Sequence, residues 1–377
     1  MKIGIVTFFC VPNYGAMLQA YALWKYLEGR GHEVEFIDYA FGNTRRIPLW
    51  KCFIAKHLSN CLEVVRKKLK SHVSFDIVRF SDKFPRTRRI LNYDALKDVG
   101  KNYDVVVVGS DQMWNPMWCS KDALPVVMLD FVRKGAKRVS YAASFGTQQW
   151  RQDQNATLAG QLLKKFDAIS VREQSGVELV RTLSGRNDAR WLLDPTMLDS
   201  SEFYQTFAED KKVDGKYVFS YMLDEWMDGE DVVDIIDVVK ASREVEEIRT
   251  DRIPVRGLLA PVCKMLKVKS KVSVPEWLSL IKNADFVVTN SFHGTVFSIL
   301  FHRPFITIPV SGKMAGMNER VTSLLSVLGL ESRIYDFSDM EEGRNIINTA
   351  IDWEVVDIRL SGERKKTSDF IKYELEC

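Results

Sequence analysis

The sequence predicts an α/β protein made of two Rossmann-like domains that face a cleft. The length of 377 residues suits two domains, since a domain averages ~150 residues. Short β-branched runs alternate with helical stretches, which is the pattern of parallel strands joined by crossover helices. Polar turns follow these strands directly, and open α/β sheets bind their ligands at that edge.

The composition excludes several classes of protein. With 46% hydrophobic and 27% charged residues, the chain is neither disordered nor a coiled coil. Its apolar runs are far shorter than the ~20 residues that span a bilayer, and the N-terminus does not resemble a signal peptide. The six cysteines are scattered without a C-x-x-C pair, so we expect reduced thiols and no metal site. A cytoplasmic protein is therefore expected.

Residues 1–198 are predicted to form the N-terminal domain. The strand KIGIVTFF is followed by a turn at 10–15, a helix from 16 to 27 and the strand EVEFIDY. Further strands are predicted at 104–108, 138–142 and 168–171, and each leads into a polar turn. Asp194-Pro195 closes this half and is interpreted as a crossing between domains.

The second half of the chain repeats this pattern. Residues 199–345 are predicted to form the C-terminal domain, with strands at 217–221, 285–289 and 304–308. Helices are expected at 231–243 and 295–300. Residues 346–377 are predicted to be a helical segment that packs back on the N-terminal domain.

A basic insertion extends from about residue 45 to residue 90. Between Arg45 and Arg89, thirteen Lys and Arg against three acids leave an excess of ten positive charges, and Trp50, Phe53 and Ile54 stand among them. One interpretation is the basic face of a surface helix. The other is contact with an anionic membrane or a pyrophosphate group. No nucleic-acid motif accompanies the charge, so no nucleic acid is expected as a partner.

The turn before the first helix is the first candidate ligand loop. Asn13 and Gly15, with Gln19 one helical turn later, are interpreted either as a cradle for a phosphate or carboxylate or as a tight turn. The turn has neither the G-x-G-x-x-G of a dinucleotide site nor the lysine of a P-loop.

The turn after the four-valine strand is richer in polar groups. Asp111 is interpreted as a carboxylate that accepts sugar hydroxyls or acts as acid or base, or else as the N-cap of the next helix. Trp114 offers a flat apolar face for a sugar ring. The candidate binding residues here and in the turn after the next strand are Gly109, Ser110, Trp114, Asn115 and Ser144.

Two later turns also carry candidates. Arg172, beside Glu173, is interpreted either as half of a salt bridge or as a guanidinium fork for a phosphate or carboxylate. The segment from Asn290 to Gly294 stands between a buried strand and an apolar helix, and it contains an imidazole, the side chain that most readily exchanges a proton near neutral pH. His293 is therefore the strongest catalytic candidate, and the binding candidates beside it are Asn290, Ser291 and Gly294.

Several of these segments together resemble the polysaccharide pyruvyl transferase family. The resemblance runs from the first strand to about Arg333, in the family's order, and is most specific at GSDQMWN and NSFHG. The segments that carry it are IGIVTFFCVPNYGAMLQAYAL, VVVVGSDQMWN, ISVREQSG, LLDPTML, TNSFHGTVFSILFHRPFI and ERVTSLLSVLGLESR.

The resemblance implies a fold similar to the two-domain, GT-B type glycosyltransferases. It also implies transfer of the pyruvyl group of phosphoenolpyruvate onto a sugar as a ketal, in the synthesis of bacterial capsular or other surface polysaccharide. It places His293 on the family's active-site histidine and Arg172 on an arginine that members use for phosphoenolpyruvate. Both residues would then lie at the donor.

The chain departs from the family at one position. Better-known members have an arginine two residues before the histidine, where this chain has Ser291. Either Arg303, Lys313 or Arg320 supplies that charge, or the donor is different.

The implied chemistry needs cationic and N–H groups for the donor's phosphate and carboxylate. One acid and one base suffice, so we expect no cofactor or metal; His293 is expected in one role and Asp111 in the other. The expected partners are phosphoenolpyruvate and a sugar acceptor, a lipid-linked saccharide reached at the inner face of the membrane. The alternatives are a glycosyltransferase that uses a nucleotide-sugar, with Glu319 on the ribose, and a non-enzymatic scaffold in a polysaccharide assembly complex.

Overall fold

A computed structural model describes most of the chain. The described residues are 1–41, 75–117, 119–150, 154–208, 215–223, 230–245, 247–253, 261, 264, 269–337 and 339–376. Most of the basic insertion, including Trp50, Phe53 and Ile54, lies outside these residues. No helix within the described ranges is long and apolar enough to cross a membrane.

The N-terminal domain is built on a parallel sheet that has six strands within the described residues. These are β1 Lys2–Val6, β2 Glu33–Phe36, β3 Val105–Val108, β4 Lys137–Ala143, β5 Ala168–Val171 and β6 Arg190–Trp191. The order across the sheet is β2-β1-β3-β4-β5-β6, and bridges to Arg86 and Ile90 add one more extended segment beside β2. Counting that segment as third gives the Rossmann order.

Helices cover both faces of this sheet. They are α1 Tyr14–Gly29, α2 Phe75–Arg79, α3 Tyr93–Gly100, α4 Leu124–Val127, α5 Gln154–Leu163 and α6 Gln174–Ser184. The four valines of β3 are fully buried, as a central parallel strand requires. Helix α1 begins two residues earlier than predicted, because the side chain of Asn13 accepts a hydrogen bond from the backbone N–H of Ala16 and caps the helix at Tyr14.

The C-terminal domain has a second parallel sheet, of four strands in the part that the structure describes. Its order is β12-β11-β7-β8, and a separate antiparallel pair joins β9 and β10. The strands are β7 Tyr217–Tyr221, β8 Glu247–Thr250, β9 Arg252–Ile253, β10 Ser270–Lys271, β11 Phe286–Thr289 and β12 Phe305–Thr307. The helices from the domain crossing onward are α7 Ser201–Gln205, α8 Glu230–Arg243, α9 Val274–Lys282, α10 Phe292–Leu300, α11 Glu319–Leu328, α12 Met340–Asn348 and α13 Trp353–Phe370.

Helix α1 joins the two domains through its first residue. The ring of Tyr14 is fully buried and stacks on that of Trp277 from α9, with centroids 4.9 Å apart and an interplanar angle of 9°. Its hydroxyl donates a hydrogen bond to the carbonyl of Val272 at 2.9 Å. On the other side of the cleft, the backbone N–H of Gln174 donates to the hydroxyl of Ser323 at 3.0 Å. The two domains are therefore in contact at two separate places.

Helix α13 runs from the C-terminal domain to the N-terminal domain. Val356 and Leu360, in its first half, belong to the core of the C-terminal domain. Phe370, Ile371 and Leu375, at and beyond its end, are buried in the core of the N-terminal domain with residues of β1 and β3. The last turns of the chain thus complete the first domain's core.

Candidate active site

Both sheets direct the carboxyl ends of their parallel strands toward the cleft. In the first sheet β1 and β3 are neighbours although the chain leaves them toward opposite sides, and β7 and β11 have this relation in the second. Such switch points open a crevice at the carboxyl ends of the strands. The turns expected to hold ligands lie at these ends.

Gln19 ties together the loops that follow β1 and β3. Its side-chain amide donates to the hydroxyl of Thr7 at 2.9 Å, and its oxygen accepts from the backbone N–H of Ser110 at 3.0 Å. The amide is fully buried. Beside it, Gly109 has a φ of +117°, and a Cβ there would lie 2.2 Å from the carbonyl oxygen of Tyr141. Gln19 therefore holds the loops after β1 and β3 together, and Gly109 allows the second of these loops to pass close to Tyr141.

Asp194 is the junction of the N-terminal half of the site. Its Oδ2 accepts hydrogen bonds from Arg172 Nη1 at 2.6 Å and from the hydroxyl of Ser110 at 3.0 Å. Its Oδ1 accepts from the backbone N–H and the hydroxyl of Thr196, at 3.0 and 2.7 Å. The carboxylate is completely buried. The sequence placed Asp194 only in the domain crossing and did not identify it as part of the site.

The charges around Asp194 keep it ionised. Burial alone would raise the pKa of Asp194, but the interactions with His293 and Arg172 and the hydrogen bonds from Thr196 together hold that pKa well below its usual range. Glu173, the neighbour of Arg172, behaves oppositely: burial raises the pKa of Glu173 although Arg172 opposes the shift. The Arg172–Glu173 salt bridge, one of the two interpretations of the sequence, does not form, because Arg172 pairs with Asp194 while Glu173 accepts from the backbone N–H groups of Phe145 and Gly146.

His293 reaches the cleft from the C-terminal domain. Helix α10 begins at Phe292, three residues earlier than predicted, because the hydroxyl of Ser291 accepts from the backbone N–H of Gly294 and caps it. The ring of His293 is 7% exposed and packs against Gly15, where a Cβ would lie 1.9 Å from Nδ1. On the other side, Nε2 lies 3.6 Å from Asp194 Oδ2.

Two guanidinium groups flank the ring of Phe292. The Cζ of Arg172 is 4.7 Å from the ring centroid, and the Cζ of Arg320, from α11, is 5.7 Å from it. Burial and the charge of Arg172 lower the pKa of Arg320 to about 10. Asp111 Oδ1 lies 3.5 Å from Nη2 of Arg172. The site therefore contains a pair of buried cations with a carboxylate on one side.

Several polar atoms in this cluster are buried without a hydrogen-bond partner among the described residues. They are Nε and Nη2 of Arg172, Nε2 of His293 and Oε2 of Glu173. Buried polar groups in folded proteins are nearly always paired, so such a group of unpaired atoms indicates a place where a ligand binds.

Two candidates from the turn after β3, Trp114 and Asp111, differ from a role that the sequence predicted for each. The ring of Trp114 is fully buried between Phe145 and Phe166, and its Nε1 donates to the carbonyl of Val127 at 3.0 Å. The expected stacking of a sugar on Trp114 is therefore wrong, because the ring has no open face. Asp111 is not a helix N-cap: it has a φ of 55°, and turns follow it.

The remaining candidates hold loops in place. Asn115 donates to the side chain of Gln112 at 2.5 Å and accepts from the backbone N–H of Met117 at 2.9 Å. The hydroxyl of Ser144 accepts from the N–H of Gly146, and the side chain of Asn290 accepts from the N–H of Leu223 at 2.7 Å.

Gly294 is a close contact between α10 and the end of β11. A Cβ at Gly294 would lie 2.4 Å from the hydroxyl of Thr289, so the first turn of the helix can approach the strand only without a side chain there.

Of the three cations considered for the charge missing at Ser291, the structure brings Arg320 to the site. Arg303 lies beyond the far end of α10, where its Nε donates to the carbonyl of Phe301 at 3.2 Å. The side chain of Lys313 is outside the described residues.

A small cavity of about 30 Å³ adjoins Phe292 and Arg320 at the carboxyl ends of β11 and β12. Within the ranges that the structure covers, no group of three or more His, Cys, Asp or Glu side chains is placed to hold a metal ion.

The fold and this cleft define an α/β protein of the GT-B type, with two Rossmann-like domains, as the sequence predicted. The architecture is similar to that of UDP-GlcNAc 2-epimerase from Neisseria meningitidis bound to UDP-GlcNAc, with a TM-score of 0.51 and 10% identity over 97% of this chain and 100% of that one. The S. aureus MnaA–UDP structure gives a TM-score of 0.51 and 10% identity over 100% of this chain and 97% of that one. At such identities the likeness concerns the fold alone.

The model of the polysaccharide pyruvyl transferase family matches residues 13–312. The chain belongs to this family, which confirms the resemblance seen in the sequence. It is therefore a transferase of polysaccharide biosynthesis at the level that the family defines. A search of curated protein sequences finds no match.

Proposed function

We propose that the protein transfers the pyruvyl group of phosphoenolpyruvate onto two hydroxyls of a sugar, as a ketal, in the synthesis of capsular or other bacterial surface polysaccharide. The observation that carries this proposal is the pair of unpaired buried nitrogens at the cleft, Nε and Nη2 of Arg172, together with the imidazole of His293 beside the same carboxylate. An anionic donor that also has to accept a proton meets the needs of these groups.

The donor's charge fits the cation pair. Phosphoenolpyruvate carries a phosphate and a carboxylate, and Arg172 and Arg320 flank one ring within reach of both. Nη1 of Arg172 donates to Asp194, and its Nε and Nη2 are left to bind the donor. Burial and the nearby charge of Arg172 lower the pKa of Arg320, and a bound anion would offset the repulsion between the two guanidinium groups.

The reaction needs one proton donor and one proton acceptor. An acid protonates the methylene carbon of phosphoenolpyruvate, and one sugar hydroxyl attacks the central carbon as it loses its proton to a base. A second hydroxyl then attacks the same carbon, and the bond between this carbon and the ester oxygen of the phosphate breaks. The proton of the second hydroxyl leaves with phosphate. Two sugar protons are thus used: the base passes the first to the acid through solvent, which restores both groups, and the second departs with phosphate. No cofactor enters this balance.

His293 is assigned as the acid, because it is the imidazole in the cleft beside the donor cations. Asp111 is assigned as the base, because its carboxylate lies 3.5 Å from Nη2 of Arg172 and is only partly buried.

Phosphate release tests the proposal. Phosphoenolpyruvate is incubated with the protein and a panel of lipid-linked galactosides and mannosides, and free phosphate is measured. Phosphoenolpyruvate is expected to raise the melting temperature, and one acceptor class to release phosphate. A rise in melting temperature with UDP-sugars and none with phosphoenolpyruvate would instead support the glycosyltransferase alternative. No shift with either would support a scaffold.

A lipid-linked acceptor further implies work at a membrane surface. The basic insertion has the composition of an interfacial patch, and each Lys or Arg near an anionic bilayer contributes up to ~1 kcal/mol. Replacing the basic residues Arg66, Lys67, Lys68 and Lys70 by Glu is expected to abolish sedimentation with anionic liposomes at low salt. Activity on a water-soluble acceptor should persist. A wild-type protein that ignores liposomes would remove the membrane from the proposal.

A further inference from the structure

We propose that Asp194 is the positioning residue for His293: its carboxylate holds a proton on Nε2 of the imidazole and leaves Nδ1 as the nitrogen that exchanges a proton with the substrate. This proposal rests on the pyruvyl transfer proposed above. The acid then consists of parts from two domains, since Asp194 follows β6 and His293 opens α10.

The carboxylate of Asp194 cannot turn away from the imidazole. Two hydrogen bonds from Thr196 fix Oδ1, while Arg172 and Ser110 fix Oδ2. Oδ2 therefore points at a set position, 3.6 Å from Nε2. A shift of about half an ångström brings the two atoms to the ~2.7–3.2 Å of a hydrogen bond. Each partner reaches Asp194 from a different place: the ends of β3 and β5, the turn after β6, and α10.

The arrangement favours a proton on Nε2. A carboxylate only accepts, so an imidazole nitrogen that faces it must carry hydrogen if both atoms are to be satisfied. Asp194 is ionised at neutral pH, because its cationic neighbours and hydrogen bonds lower its pKa. In other dyads of this kind the carboxylate fixes the tautomer and orientation of the ring, and its removal lowers turnover although the imidazole remains.

An imidazole has two ring nitrogens, so a proton held on Nε2 leaves Nδ1 as the one that can exchange a proton. That nitrogen faces the start of α1, and a side chain at position 15 would lie 1.9 Å from it. Glycine at this position is what allows the ring to lie so close to the start of α1. The two edges of the imidazole thus differ: Nε2 faces a fixed carboxylate, and Nδ1 faces a backbone without a side chain.

The state of the ring can be read without turnover. In protein labelled with ¹⁵N-histidine, the ring signals of the five histidines are recorded by NMR, and His293→Gln assigns the signal of interest. A proton on Nε2 is expected. A neutral ring protonated on Nδ1 alone, with Nε2 bare, would overturn the proposal. This result does not depend on whether phosphoenolpyruvate is the donor, so a failed phosphate assay and a failed dyad are distinguishable.

A double-mutant cycle then tests the role in turnover. Asp194→Asn is expected to lower kcat by about 10²-fold or more, and to lower it by less than about threefold when added to His293→Gln, because Asp194 acts through a residue already removed. Losses that multiply would mean that Asp194 serves Arg172 alone and would overturn the proposal. Asp188→Asn is the matched control, since Asp188 is an exposed partner of Arg186, and its kcat should match wild type. If Asp194→Asn does not fold, the NMR result on the wild-type protein decides.

Discussion

The two domains present the same edge of the same kind of sheet to the cleft, but they contribute different chemistry. The N-terminal domain supplies a buried charged network, with Arg172 and Asp194 locked to each other at 2.6 Å. The C-terminal domain supplies one imidazole at a helix start, with Arg320 reaching in from α11. In the proposed reaction the first group binds the anionic donor, whereas the second transfers the proton. Neither domain holds a complete site.

The two edges are also built differently. In the N-terminal domain, buried side chains such as Gln19 join loop to loop across the sheet. In the C-terminal domain the loop is held locally: Thr289 Oγ1 accepts from the N–H of Ser291, and Ser291 caps α10. Long-range bonds therefore fix the charges, and a helix cap fixes the imidazole.

Removing the imidazole of His293, the contribution of the C-terminal domain, is expected to have the largest effect on kcat. His293→Ala is expected to lower kcat by about 10²–10⁴-fold, the usual contribution of an acid or base, with an unchanged melting temperature. Phosphate release and thermal melts measure both. His302→Ala, at the other end of α10, is the control: this exposed ring stacks on Trp353 and should leave kcat unchanged. Near wild-type turnover in a well-folded His293→Ala protein would remove His293 from the mechanism.

A methyl group at the contact between the domains should have the next largest effect. In Gly15→Ala the new Cβ would overlap Nδ1 of His293, so the ring must move, and a displacement of about 1 Å can cost ~10²-fold in rate. Gly29→Ala, at the other end of α1, is the matched control, because nothing lies within 4 Å of a Cβ there. If both variants had the same kcat, the contact between Gly15 and His293 would be irrelevant to turnover.

The role of Arg172 in donor binding is tested by a substitution that keeps its positive charge. Arg172→Lys should raise the KM for phosphoenolpyruvate by about tenfold with a smaller change in kcat, because an ammonium cannot bind Asp194 and the donor as a planar fork does. Arg181→Lys, on the surface of α6, controls for the exchange itself. Equal KM values for Arg172→Lys and wild type would make Arg172 a structural ion pair.

The smallest effect is expected where the domains meet without chemistry. Tyr14→Phe removes the hydrogen bond to Val272 but keeps the stacking on Trp277, so urea unfolding should show a loss of about 1 kcal/mol in the free energy of unfolding. The kcat should stay within about twofold. Tyr373→Phe, on an exposed side chain, should change neither quantity. A large drop in kcat for Tyr14→Phe would mean that this bond also sets the cleft geometry.

Much of the fold could be read from the sequence, because its signals are local. The four valines of β3 are a buried parallel strand by composition alone, and the strands predicted at 168–171 and 217–221 have the observed bounds. Helix starts were misjudged at α1 and α10 for one reason. In both, a capping side chain, Asn13 or Ser291, starts the helix inside what looks like a polar turn.

The site was less predictable, because its geometry depends on residues far apart in the chain. Asp194 gave only a local Asp-Pro signal, although it bonds to Ser110, 84 positions away, and to Arg172. Trp114 misled for the opposite reason: an aromatic residue beside a polar turn resembles a sugar platform until the packing of Phe145 and Phe166 around it is known. Burial is a property of the whole fold.

Helix α13 also has a consequence for synthesis on the ribosome. Domains of a nascent chain generally fold in the order in which they emerge, the N-terminal one first. Here Phe370, Ile371 and Leu375 fill the core beside β1 and β3, and the whole C-terminal domain is translated before them. The first domain therefore emerges with a gap in its apolar interior that only later residues can fill. Until they arrive, the nascent chain exposes the kind of surface that chaperones bind.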